Sequence, residues 1–289
     1  MAPPAEAGHQ ARFVAVLMPE SQKFLTDRLY YGPMLQGLND ALMEKHVFMR
    51  PVQCLHEYQR DHFLHSSQRL YSGVVFLGPV YTFDLFIRAV AQALPGPKVM
   101  LDHHCEDLAI HSVREDAVAG MHMVVEHLLA LGHRHIAYLD NERPDINPWK
   151  RGGVDDALKA AGLPGLQRGW TAGCRTNFAD AAAALEWFSG LAPRPTAVVC
   201  ADDLRALLLL QAAAEQGLRV PQDLSIAGFG DVAVRSGRSL RLTSVGIDPA
   251  LMGRRAAELV TGAENAAPVA ALVPPELFVR GTTGAPASA

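Results

Sequence analysis

Acidic residues placed just after two apolar runs mark where this chain can do chemistry. In PTAVVCADDLRALLLLQAAAEQGLRVPQDLSIAGFGD, residues 195–231, Asp202 and Asp203 follow one run and Gly230-Asp231 close the next. Ionised carboxylates only accept hydrogen bonds, and acids at a sheet edge suggest a binding site. Two of them have local duties as well. Asp202 stands where a helix N-cap belongs, whether or not it touches a ligand, and Asp231 can act as a turn-former. A second group, Asp102-His103-His104-Cys105, has ligand types suited to zinc or nickel. Adjacent residues rarely converge on one tetrahedral ion, so the expectation is no metal, and a site-edge loop with one pH-dependent histidine. His133 and His135 alternate across a strand start, and His56, His62 and His65 read as a solvated face. Ser21 lacks a nucleophile-elbow context, and there is neither a GxSxG nor a Walker phosphate loop. The expectation is a binding protein, not an enzyme, with no cofactor.

These groups need elements to hold them. The valine-rich run 197–200 is too short for a helix and suits a strand buried on both faces of a parallel sheet. Leu204, Leu207, Leu208, Gln211 and Ala214 then recur at helical spacing until Gly217, and 224–229 forms the next strand. This is a βαβ unit, and the carboxyl edge of such a sheet is where ligands bind. Upstream, strands are expected at 13–18, 47–52, 73–77 and 97–101. Helices fall between them: one entered by Tyr30 and Tyr31, an exposed one over 56–70, and one over 83–94. From Asp116 the pattern restarts with a capped helix to Leu131, a strand at 135–139, a helix over 153–161, a short strand near 170–173 and a helix over 180–188. A helix over 249–261 and a strand at 276–279 complete the halves.

The chain has 289 residues, 49% of them hydrophobic, enough for two ordinary domains. A net charge of −4 gives no general attraction for a nucleic-acid backbone or an anionic membrane. Cys54, Cys105, Cys174 and Cys200 are widely spaced, without a CxxC pair, which suits reduced thiols in the cytoplasm. The start, MAPPAEAGHQAR, lacks the basic and apolar segments of a secretory signal, and no apolar run approaches the roughly 18 residues of a membrane helix.

Several long phrases carry a family resemblance: VVEHLLALGHRHIAYLD at 124–140, the βαβ phrase at 195–231, LTSVGIDPALMGRRAAELV at 242–260, and PPELFVRGTT near the end. In their order and spacing the chain resembles the effector-binding core of the lactose/galactose-repressor (LacI/GalR) family, with the fold of periplasmic sugar-binding proteins. The resemblance implies an α/β architecture of two doubly wound parallel-sheet subdomains joined by three crossovers. The expected division is a tail or linker at 1–11, an N-terminal subdomain of 12–113 plus 243–270, a C-terminal subdomain of 114–242 plus 271–284, and a tail at 285–289. It also implies a small effector in the cleft, a homodimer or tetramer, and control of transcription. The family's helix-turn-helix and hinge helix have no counterpart before Phe13, where MAPPAEAGHQ resembles an interdomain linker. The expectation is therefore a core whose operator DNA is read by a head domain missing from this sequence, excised from a longer regulator or a natural stand-alone sensor. A solute-binding protein of a transport system shares the fold, but requires export.

Carried over position by position, the resemblance implies ligand contacts at Ser21, Tyr30, Tyr31 and Asp102 from the N-terminal half, with one tyrosine facing the cleft and the other in the core. From the C-terminal half it implies Lys150 in place of the family's arginine, Arg175 or Phe178 where relatives often carry an aromatic, Asp202 in place of an amide, and Asp231. Asp202 accepts only, where the amide both donates and accepts, and Gly230 removes the first of two family acids. Lys150 reads equally as a solvated helix-start residue. The expected effector is a small polar molecule, a sugar, a sugar derivative or a related anion rather than an ordinary neutral hexose, with Lys150 and Arg175 providing the charge for an anion.

Overall fold

The computed structural model describes residues 12–18, 28–53, 57–66, 70–78, 84–104, 107–141, 148–166, 170–232, 241–263 and 266–287. They form two compact units. The first comprises Met1–Arg114 and Asp248–Val273, and the second Glu115–Ile247 and Pro274–Ala289, so the chain passes between them three times.

In the first unit, β1 (Arg12–Met18), α1 (Arg28–Met43), β2 (Val47–Gln53), α2 (Glu57–Ser66), β3 (Tyr71–Leu77), α3 (Asp84–Ala93) and β4 (Lys98–Leu101) alternate as the apolar runs predict, and β5 (His111–Glu115), which they do not predict, follows with no helix before it. In the second, α4 (Ala117–Ala130), β6 (Ile136–Asn141), α5 (Pro148–Ala160), β7 (Thr171–Cys174), α6 (Phe178–Ser189), β8 (Ala197–Cys200), α7 (Asp203–Glu215), β9 (Ser225–Gly230) and β10 (Thr243–Gly246) follow. The chain then returns through α8 (Pro249–Val260) and β11 (Ala270–Val273) to the first unit, and ends with β12 (Glu276–Phe278) in the second.

The first sheet has the order β11-β5-β4-β3-β1-β2 and the second β12-β10-β9-β8-β6-β7. Pairing is parallel from β2 to β5 and from β7 to β10, with β12 antiparallel on β10. Order reversals beside β1 and β6 are the mark of a doubly wound sheet. Thr243–Gly246, grouped with the first unit on sequence, instead pairs with β9, where its four buried residues complete the second sheet. Conversely, 271–273 lie in β11, next to β5 in the first sheet. Both strands, at four residues each, are too short for sequence pattern to assign them a sheet.

Helix starts are set locally. Asp116, Asn177, Asp202 and Asp248 each accept an amide from the first turn of α4, α6, α7 and α8. In the first unit α1 lies on α8 at glycine-lined contact: a Cβ on Gly37 would stand 2.1 Å from Ala250 O, and one on Gly253 2.0 Å from Met34 O. Beneath them Met34, Leu38 and Leu42 are fully buried, each contributing about 2 kcal/mol. Helix α2 is not simply exposed, because Phe63 is buried against Phe86 of α3.

Candidate functional site

The carboxyl edge of the first sheet gathers three of the expected residues. Asp102 follows β4 in the left-handed region, at φ 69°, a conformation that aspartate tolerates better than most side chains. Tyr30 Oη donates to Asp102 Oδ1 at 2.6 Å and Tyr31 Oη to Oδ2 at 3.0 Å. The rings meet edge to face, 5.1 Å apart, and both are half-buried. The expectation that one tyrosine turns into the core is therefore corrected: the bidentate carboxylate draws both phenols to one point. Ser21 lies outside the described residues. His104 Nδ1 is bonded to Ser112 Oγ at 3.0 Å, while burial, with His104 and Arg114 nearby, lowers the pKa of His103.

In the second unit the candidate cations are already engaged. Lys150, in the first turn of α5, is buried rather than solvated. Its Nζ lies 3.0 Å from Glu115 Oε1, donates to Ala201 O at 3.2 Å and stands 3.8 Å over the Phe229 ring. Arg175 forks onto Asp180, with Nε at 2.8 Å and Nη2 at 3.0 Å from its two oxygens, and holds that carboxyl at a pKa of about 2. Phe178, the first residue of α6, is half-buried against the core built on α6 and α7.

The acids divide into paired and unpaired. Asp202 accepts from Arg205 N at 2.9 Å and pairs with the Arg205 guanidinium, whose Nε also donates to Cys174 O at 2.8 Å. Asp203 turns inward and accepts from Ser244 Oγ at 2.5 Å. Asp231, at φ 50°, is buried with Oδ1 2.7 Å from Arg280 Nη1, an ion pair without good hydrogen-bond alignment. Asp140, at the end of β6, was not singled out by sequence reasoning, although the phrase IAYLD closes an apolar run on an acid just as 197–202 does. Burial raises its pKa, partly offset by the Asn141 amide and by Arg151, Arg205 and Lys150. Tyr138, two residues earlier on the same strand face, has its hydroxyl pKa pushed well up by burial, with Asp140 and Asp202 adding to the shift. In the second unit Lys150, Arg175, Arg205 and Arg280 each lie beside an acid.

On the opposite edge of the second sheet His133 is a structural group. Its Nδ1 meets Thr196 Oγ1 at 2.9 Å, and its Nε2 meets Ser225 Oγ at 3.1 Å and Gly284 O at 2.8 Å. Because a carbonyl only accepts, Nε2 carries the proton. No group of three or more metal-ligating side chains occurs among the described residues. None of their helices is long and apolar enough to cross a membrane.

Residues 125–283 match the family described as periplasmic binding protein-like domain. The chain is 25% identical over 283 residues to the HTH-type transcriptional repressor CytR of Escherichia coli (strain K12), covering 96% of this chain and 81% of that protein. It is 29% identical over 167 residues to the ribose operon repressor of Haemophilus influenzae, 57% of this chain and 50% of that protein. Among solved structures, a transcriptional regulator CelR-cellobiose complex superposes with a TM-score of 0.79 at 23% identity, over 95% of this chain and 86% of that one. A LacI family transcriptional regulator from Mycobacterium smegmatis gives 0.75 at 26% identity, over 94% and 99%. Two parallel doubly wound units, three passages between them and this run of matches lead to one conclusion: the chain belongs to the periplasmic binding protein-like domain family, in the form of the effector-binding core of LacI/GalR-type transcriptional regulators.

Proposed function

We propose that this core senses a small, neutral, hydroxyl-rich molecule of the sugar class, and through it controls operator binding by an N-terminal head domain. The observation that carries the choice of class is the charge pairing at the second sheet's edge. Lys150 and Arg175, which an anionic effector would need, are committed to Glu115 and Asp180. Carboxylates remain as acceptors for hydroxyl donors, and Tyr30 and Tyr31 offer flat apolar faces with polar tips, as a sugar ring requires. Relatives named for ribose and arabinose, and a structural neighbour holding cellobiose, support the same class. Their description as repressors supports binding rather than catalysis and action in the cytoplasm, and a homodimer is part of the same proposal. Ligand shifts the balance between DNA-binding and non-binding states only as far as its affinity for the two differs.

A thermal-shift series with D-ribose, L-arabinose and cellobiose against the corresponding sugar phosphates and sugar acids tests the reading. Stabilisation by at least one neutral sugar is expected. Stabilisation by the anions alone would reverse the assignment of ligand class.

A further inference from the structure

At the end of β6 the fold supplies only half of the bonds one buried side chain can make. Asp140 is 2% exposed. Its Oδ1 accepts the Asn141 amide at 2.7 Å, whereas Oδ2 is buried without a hydrogen-bond partner among the described residues. The strands on either side explain the gap. Its register partner on β7 is Gly173, which has no side chain. On the other side, Ala201, whose amide donates to Leu139 O at 2.9 Å, carries only a methyl group. Lys150, Arg151 and Arg205 are near enough to act on the carboxyl through space. Two of the three are held elsewhere: Lys150 by Glu115 and Ala201 O, and Arg205 by Asp202 and Cys174 O.

A buried carboxyl oxygen left unmatched carries its full desolvation penalty, and native folds rarely keep one without a reason. Asp140 does so at the carboxyl end of a parallel strand, the edge at which open α/β sheets bind ligands. Its small neighbours leave the acid as the only polar side chain across three adjacent strand positions.

Resting on the effector-core reading above, we propose that Asp140 is a specificity-determining residue whose Oδ2 accepts a hydrogen bond from an effector hydroxyl, directly or through one bridging water. A ligand carboxylate or phosphate in the same place would meet the acid charge to charge, so the residue selects hydroxyl donors and rejects anions.

The test uses the whole chain, wild type and Asp140→Asn, by thermal melting and by calorimetric titration with D-ribose, L-arabinose and cellobiose. Without ligand the variant melts higher than wild type, because it no longer buries an unmatched acid. For any sugar that binds wild type, its Kd rises about tenfold or more, the scale of a lost charge-assisted hydrogen bond. A variant that binds that sugar as tightly as wild type does, or that melts lower when ligand-free, overturns the assignment of Asp140 and leaves the effector reading in place. A wild type that none of the three sugars stabilises overturns the effector reading itself, and this assignment with it.

Discussion

Lys150 Nζ lies 3.0 Å from Glu115 Oε1, and both side chains are only 11% exposed. The pair joins the first turn of α5 to Glu115, the first residue of the second unit after the chain's first passage. Removing one partner from a buried pair leaves an uncompensated charge, which outweighs the modest net value of the pair itself. Glu115→Gln is therefore expected to cost about 3 kcal/mol in urea unfolding. Adding Lys150→Met, which keeps an unbranched stem over Phe229, should recover most of that loss, and a double-mutant cycle reads the coupling directly.

Asp102 unites two phenols from a backbone conformation that few side chains adopt. Asp102→Ala removes both acceptors and keeps the left-handed strain, and is expected to cost about 2 kcal/mol by chemical denaturation. Asp102→Asn, which tolerates the same φ and retains one carbonyl oxygen, should cost clearly less. If the two variants are equally stable, the phenol bonds contribute nothing to the fold.

Burial lowers the pKa of His133, the Gly284 carbonyl partly opposing it, and His103, His111 and His127 shift in the same direction. The folded state thus binds fewer protons than the unfolded state just below the ordinary histidine pKa of about 6.5. Stability is full above that value and falls as pH drops through it towards the lowered folded values. Asp140 acts in the opposite sense: its raised pKa favours the protonated folded form, so its contribution declines as pH rises above the ordinary carboxyl value. Urea midpoints compared at about pH 7.5 and pH 5.5 should drop for wild type. The drop should be smaller for His133→Gln, which starts from lower stability because Thr196, Ser225 and Gly284 lose their common partner.

The contact between α1 and α8 has no room for a methyl group. Gly37→Ala and Gly253→Ala would drive a Cβ into the backbone oxygens of Ala250 and Met34, respectively. Each is expected to destabilise by about 2 kcal/mol or more, despite the better helix propensity of alanine. Gly152→Ala, at an open helix position, should instead be neutral or slightly stabilising in the same thermal melt.

Local chemistry made much of this molecule readable. Asp202 and Asp116 were legible as caps because a cap is decided within four residues. Strand β5 was not, since HSVRE reads as polar. His111, Ser112 and Glu115 are nonetheless buried there, covered by neighbours remote in sequence. Asp140 carried the same signal as Asp202, an acid closing an apolar strand, but its burial and its unmatched oxygen depend on Gly173 and Ala201 from two other strands. Lys150 and Arg175 were legible as cations at the right elements, while their prior engagement was not.

Alternating apolar runs, helix caps and terminating glycines, all local properties of the backbone and its nearest side chains, determined two doubly wound α/β units and the acids that close their strands. The tertiary structure alone decided which charges at those strand ends are available. A carboxylate or ammonium is defined by what lies within a few ångströms and by how much water remains, and at Glu115–Lys150 and Asp140 both depend on residues far apart in the chain.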